Sequence, residues 1–325
     1  MPSPARRLAS CLARLWRTDA PLTGTALLML AALVWLLPAL VVDDRLVTGA
    51  PVWLKPAKFA ASIAVYGLTL AWTFTHLPEW PRLRRTVSLT SAAVFVGEMA
   101  VITLQAWRGV PSHFNVATPF DATLFALMGL GILTQTLAGA AVAVALWRQR
   151  FTDPALGWAL RLGMALTIAG AAVGGLMAQP TAAQVAAARE SGRLDVAGAH
   201  TVGAPDGGPG LPGTGWSVTQ GDLRVPHFVG LHALQALPLL WLAVAGWRRA
   251  ERTRVRLVLT GATSYAGLFL LLLWQALRGQ SAAAPDAVAV GLAAAWLAST
   301  ILAVAIAARD DQRAEPATAR QVVNA

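Results

Sequence analysis

Cys11 is the only cysteine in the chain, so no intramolecular disulfide can form. Charge is scarce as well: 13% of the residues are charged, against about 25% in a soluble domain. Lysine is confined to Lys55 and Lys58, so nearly all of the 26 basic residues are arginine. No stretch shows the alternating segments of about ten residues that a membrane β-barrel requires. The net charge of +10 is spread over helix ends and not gathered in a patch, which excludes nucleic acid as the partner. Leu8-Ala9-Ser10-Cys11 lacks the hydrophobic stretch that a lipoprotein signal needs before its cysteine.

The chain has apolar length instead. Hydrophobic residues make up 56% of it. They fall in eight long runs, at about 22–42, 57–77, 86–106, 121–147, 156–178, 226–247, 255–277 and 287–307. A helix needs roughly 20 apolar residues to cross the hydrocarbon, and lipid offers the backbone no hydrogen bonds. The expected fold is an all-α membrane protein with eight transmembrane helices. Trp16, Trp53, Trp80, Trp107, Trp147 and Trp247 stand near span ends, as in an aromatic belt. Of the 26 Lys and Arg, 18 fall on the side of the N-terminal segment and tail and 8 on the other. The positive-inside rule then puts both termini in the cytoplasm, and the loops near 43–56, 107–120, 179–225 and 278–286 outside. Residues 5–17 pattern as a basic amphipathic helix on the inner membrane surface. Arg- and Ala-rich, Lys-poor usage points to a bacterial plasma (inner) membrane.

A duplication runs through the chain. At an offset of 170 residues, Arg84, Leu89, Thr90, Gly97, Gln105, Ala106, Arg108 and Gly109 fall on Arg254, Leu259, Thr260, Gly267, Gln275, Ala276, Arg278 and Gly279. Pro56 falls on Pro226, and after a short deletion Asp121 corresponds to Asp286. Four spans per half is an even number, so the halves are expected as parallel four-helix repeats. The organisation is a basic segment at 1–21, repeats at 22–150 and 151–308 with a long outer loop at 179–225, and a cytoplasmic tail at 309–325. Small residues such as Gly170 and Gly174 are expected at helix contacts.

Where the halves diverge, candidate site residues appear. Lys55 and Lys58 open the second span, either as interfacial anchors or as contacts to an anion or lipid headgroup. Glu98 lies roughly 10 Å deep in the third span, where its repeat partner is Leu268. An ionisable group there reads as functional, or as a protonated carboxyl bonded to a neighbouring helix. Gln105 and Arg108 recur in both halves and suit helix ends and loop closure, although Arg108 is also a candidate for substrate binding. His113 and Asn115 occur in one half only. Asp121 suits a helix N-terminus. The sixth span carries His227, His232 and Gln235, and the last two share a face of a regular helix. His200, Asp206 and Trp216 are embedded in the long loop, which reads as an ordered lid or as a disordered spacer. His113, His200, His227 and His232 are thus four of five histidines assigned to the outer half. Together with Asp206 they are the candidate ligands of a transition metal or haem. Glu98 and His232 are the candidate acid and base. Lys55, Lys58, Arg108, Asn115 and Gln235 are the candidate substrate contacts. No fixed ligand spacing such as His-Glu-x-x-His is present.

The strings Trp53-Leu-Lys-Pro-Ala-Lys-Phe59, Ser112-His-Phe-Asn-Val-Ala-Thr-Pro-Phe-Asp121, His200-Thr-Val-Gly-Ala-Pro-Asp206 and Gly221-Asp-Leu-Arg-Val-Pro-His-Phe-Val-Gly-Leu-His-Ala-Leu-Gln235 resemble a family of bacterial polytopic membrane proteins. That resemblance covers most of the membrane region and implies no activity. The two-by-four arrangement is also similar to haem A synthase, whose histidine ligands stand on helices of both halves. Here the second and eighth spans lack outer histidines. Three functions follow as expectations. The first is a metal- or haem-dependent enzyme or redox protein acting on a lipid-like or quinone-like substrate. The second is a transporter or channel, and the third a sensor or accessory subunit without catalysis.

Overall fold

The computed structural model describes residues 3–246 and 250–309. Trp247 and the tail beyond Arg309 lie outside the described residues. The chain opens with α1 (Pro4–Thr18), whose start is capped by Ser3. It exposes Leu8 and Trp16 and buries Leu15. The long helices follow: α2 (Ala20–Val42), α3 (Leu54–Phe74), α4 (Pro81–Arg108), α5 (Pro119–Arg148) and α6 (Pro154–Met177). After the short α7 (Ala182–Ser191) come α8 (Arg224–Leu231), α9 (Ala233–Ala245), α10 (Glu251–Leu277) and α11 (Ala287–Arg309). Local chemistry sets the helix starts. Asp19, Thr118 and Asp153 accept backbone N–H bonds at the heads of α2, α5 and α6, each with proline at the first or second position. Four two-residue strands complete the inventory of the described chain. β1 (Leu46–Val47) pairs with β2 (Ala50–Pro51), and β3 (Thr201–Val202) pairs with β4 (Gly221–Asp222), both antiparallel.

Seven of these helices are long and apolar enough to cross a membrane, and α8 with α9 makes an eighth if the bent pair is one span. The sixth span is therefore not the regular helix expected. It bends by 49° at His232. The Thr167 hydroxyl of α6 enters the break, donating to the Leu231 carbonyl at 3.3 Å and accepting from the Leu234 N–H at 3.2 Å. A side chain inserted into the backbone ladder is a recognised cause of a kink; here it satisfies two of the groups that the break sets free, and the Tyr265 hydroxyl takes a third, the Val229 carbonyl, at 2.6 Å. The same helix carries a close backbone crossing. A Cβ on Gly170 would lie 2.5 Å from the Gly230 carbonyl carbon, and one on Gly230 would lie 2.4 Å from the Gly170 Cα. Only glycine lets α6 and α8 approach so closely.

The helices pair as α2 with α3, α4 with α5, α6 with α8 and α9, and α10 with α11, while α5 packs on α6. Leu22, Phe74, Val87, Leu146, Leu160 and Leu234 join α2, α3, α4, α5, α6 and α9 in one buried cluster. Large apolar side chains remain exposed along the spans, among them Val41, Leu137, Leu239 and Leu302, as a surface facing lipid requires. The 43–53, 109–118, 178–223 and 278–286 connections meet at one end of the bundle. Arg45 donates to the Trp107 carbonyl, the Val116 N–H to Asp195, and Ser281 to Ser217.

Candidate functional site

The long loop is folded as a cap over that end. A capping box of Thr181 and Gln184 starts α7, and the Gln184 amide then bonds both backbone groups of Gly198. Gly198 has φ +124°, and a Cβ there would lie 2.4 Å from the Met177 carbonyl oxygen and 2.6 Å from the Phe114 ring. The loop is thereby pinned between the end of α6 and the 109–118 connection, where the Ala197 N–H donates to Phe114 and the Ala199 N–H to Met177. From the other side, Lys58 donates to the Thr214 carbonyl at 2.7 Å. Arg224 binds Asp222 at 2.5 Å and the Gly215 carbonyl at 2.7 Å.

Under this cap the polar groups gather. Asp206 accepts from the His200 ring at 2.6 Å and from the backbone N–H groups of His200 and Thr201. These donors hold its carboxyl well below the ordinary range, against burial. Burial keeps the His200 imidazole below its ordinary value despite the neighbouring carboxylate, to which its Nδ1–H donates. The His113 imidazole is held further down, first by burial and then by the charges of Lys55, His200 and His227. Its Nδ1 lies 3.1 Å from Ser112 Oγ. His227 donates from Nδ1 to the Gly170 carbonyl at 2.7 Å, at the glycine crossing. Between the imidazoles stands Phe114, with φ +64° and its ring 4.8 Å from that of His200. A bulky residue in the left-handed region is strained, and such strain concentrates at functional sites.

Two charged groups in this region lack partners. The Lys55 amine makes no hydrogen bond among the described residues, and the charges it feels include Lys58, Arg224, Asp206 and Glu98. Glu98 is 4% exposed. Its Oε2 is buried without a hydrogen bond, while Oε1 occupies space that Gly131 of α5 leaves open, 3.3 Å from where a Cβ would stand. Because α4 runs on to Arg108, Glu98 lies ten residues from the capped end of the helix, roughly 15 Å by helical rise, deeper than the sequence suggested.

Several expected site residues have other work. Arg108 is not free for a substrate: it binds Asp121 at 2.5 Å and Gln105, with its guanidinium over the Phe120 ring. Asn115 spends its amide within its own loop, on the Pro111 carbonyl and the Ala117 N–H. Lys58 holds the cap. His232 donates to or accepts from nothing beyond its own turn: its Nδ1 meets the Phe228 carbonyl at 2.8 Å and its ring stacks on Phe228, with centroids 4.0 Å apart. None of the described contacts joins it to Glu98. Gln235 leaves its Oε1 buried and unpartnered, but the kink removes the regular face it was expected to share with His232. Among the described residues no group of three or more His, Cys, Asp or Glu is placed to hold a metal. His113, His200, His227, His232 and Asp206 therefore do not form the expected ligand set, and the residues do not fit a metal. Nδ1 of His227 and of His232 is turned to its own segment or to α6, and Asp206 is consumed by His200.

The cap pair Asp222 and Arg224 and the kink-filling Thr167 escaped the sequence reading. Asp222-x-Arg224 copies the Asp43-x-Arg45 spacing, and both form ion pairs next to a span. That recurrence was the available signal. Thr167 had none. The chain matches no protein-family model, no curated protein and no solved structure.

Proposed function

We propose that the chain is an integral membrane protein that takes the polar head of a lipid-like or quinone-like molecule into the capped site and exchanges a proton with it. The observation that carries this reading is the pair of unpartnered groups, Lys55 and Glu98, beside half-buried imidazoles. Buried polar groups in a purely structural site find partners, and the surrounding carboxylates, Asp121, Asp206 and Asp222, all do. Lys55 would donate to a ligand oxygen. Glu98 or the free Nε2 of His113 would take or return the proton. The membrane position of Glu98 suits a ligand that enters from the bilayer.

The same proposal includes the arrangement of the chain. Two parallel four-helix halves, α2 to α5 and α6 to α11, are supported by matching pairings in each. They are supported too by two equivalent helix ends: Gly109 and Gly279 have φ +71° and +73°, and each follows an arginine that binds the acid of the next span, Asp121 or Asp286. The distribution of arginine supports the capped end as the outer one in a bacterial plasma membrane, with both termini inside.

The test is lipid and quinone extraction from the purified chain, followed by mass spectrometry. Wild type should carry an amphiphile that Lys55→Met and Glu98→Gln each lose at least tenfold while remaining folded. Equal content in all three proteins would sink the proposal.

A further inference from the structure

At the opposite end of the bundle, the joint between α1 and α2 and the first turns of α4 enclose a crevice of ≈ 410 Å³. Asp19 forms its floor, Arg84 and Arg85 its polar wall, and Pro21 and Leu89 its apolar wall. The Asp19 carboxylate is only 6% exposed and is occupied by the Leu22 N–H and the Ser88 hydroxyl. Both bonds fall on one carboxylate oxygen, and Arg84 makes no ion pair with the other among the described residues. One Arg84 nitrogen donates to the Thr18 carbonyl at 3.1 Å, and its Nε is buried without a partner. The exposed Arg85 has no partner among the described residues. Arg17 and Arg82 adjoin the lining residues Thr18 and Pro81 in the chain. α4 begins here without a side-chain cap, which adds N–H groups suited to an anion.

Asp153 caps α6 as Asp19 caps α2, and its corner shows the same groups paired with one another. In the second half, Arg254 binds Asp153 at 3.3 Å and the Trp241 indole donates to the same carboxylate at 3.0 Å. The positions of Val255 and Val258 carry Arg85 and Ser88 in the first half, and both line the crevice. Where the second half packs two valines, the first half has the Arg85 guanidinium and the Ser88 hydroxyl that takes the aspartate. Both changes put polar groups into the corner where the second half packs apolar ones.

We propose that this crevice holds the phosphodiester headgroup of an anionic phospholipid, with Arg84 and Arg85 on the phosphate and an acyl chain along Leu89. Leu89 is 51% exposed at the head of a span, where headgroup meets hydrocarbon, and α1 lies beside it as an amphipathic surface helix. The guanidinium fork suits phosphate oxygens.

Native mass spectrometry of the full chain, in micelles doped with dioleoyl-phosphatidylglycerol or dioleoyl-phosphatidylcholine, tests this. One phosphatidylglycerol per chain should be retained in preference to phosphatidylcholine. Arg85→Gln, at an exposed position that folding does not need, should weaken retention about fivefold, as expected for one basic residue at a headgroup. Arg193→Gln, which removes the same charge from the cap, should leave retention unchanged. Equal retention of both lipids, equal retention by Arg85→Gln and wild type, or an equal loss in Arg193→Gln would each overturn the site. Displacement of the lipid by millimolar inorganic phosphate alone would overturn its assignment to a lipid.

Discussion

His113 and His200 are packed where an imidazolium is disfavoured, and this gives the cap a pH dependence with a definite sign. Both imidazoles are held below their ordinary value when folded. They therefore bind protons more readily once the cap opens, and stability falls as pH drops through the ordinary imidazole range near 6.5. Asp206 is shifted the opposite way for its type: its contribution persists until far lower pH. Loosening between pH 7 and 5 thus belongs to the imidazoles. Backbone hydrogen exchange over residues 196–222 should accelerate across that interval, and His113→Gln should flatten most of the change. If exchange is flat with pH in wild type, the imidazoles are not buried as described. Residue by residue, Lys55 drew notice because lysine is confined to two positions, and Glu98 because an apolar run rarely carries a carboxylate. The metal site was misread for a physical reason. Composition places histidines at one end of the bundle, but only tertiary packing decides where each ring nitrogen points, and here Nδ1 of His227 and Nδ1 of His200 are already committed.

Among the elements, the broken sixth span is where sequence periodicity was least informative. Its apolar run reads as one helix, and the kink depends on Thr167, a residue 67 positions away from the Leu234 N–H that it accepts. Thr167→Val keeps the shape and removes the hydroxyl. It leaves a buried N–H and carbonyl without partners, at a cost of roughly 1–3 kcal/mol, whereas Thr167→Ser should recover most of that. Thermal unfolding in detergent distinguishes the two, and identical curves for Val and wild type would show the kink to be set by something else. The glycine crossing was more legible, since Gly170 and Gly174 stand four apart on a long helix. Gly170→Val must force α8 away from α6 and should cost about as much as overpacking elsewhere, roughly 1–3 kcal/mol. Because His227 bonds the Gly170 carbonyl, the same substitution should also disturb the site, read as lost amphiphile retention.

Across its capped end the molecule is held by an apolar cluster that includes Phe114, Met177 and Leu223 and by a few long-range polar ties. Apolar runs determine the spans, and composition alone sufficed to recognise them. The cap is rich in glycine and proline, so no periodicity describes it, and its order comes from tethers far apart in sequence. Lys58 to Thr214 crosses 156 positions and Ser281 to Ser217 crosses 64. The first tie is charge-assisted and half-buried, worth roughly 1.5–3 kcal/mol when a charged donor is involved. It also holds the segment that carries Trp216, whose ring meets Phe228 at 5.6 Å, close to the kink. Lys58→Met retains the aliphatic stem along α3 and deletes only the donor. The spans should then stay intact, with an unchanged helical circular dichroism signal, while exchange of amides in 209–218 rises tenfold or more, since each 1.4 kcal/mol is a factor of ten. A cap that only shields the loops would tolerate this loosening. A cap that closes over a ligand would not, so bound amphiphile should fall in Lys58→Met although Lys55 and Glu98 are untouched. Faster exchange with undiminished ligand would separate the two roles and leave the cap as a cover over a site that does not need it.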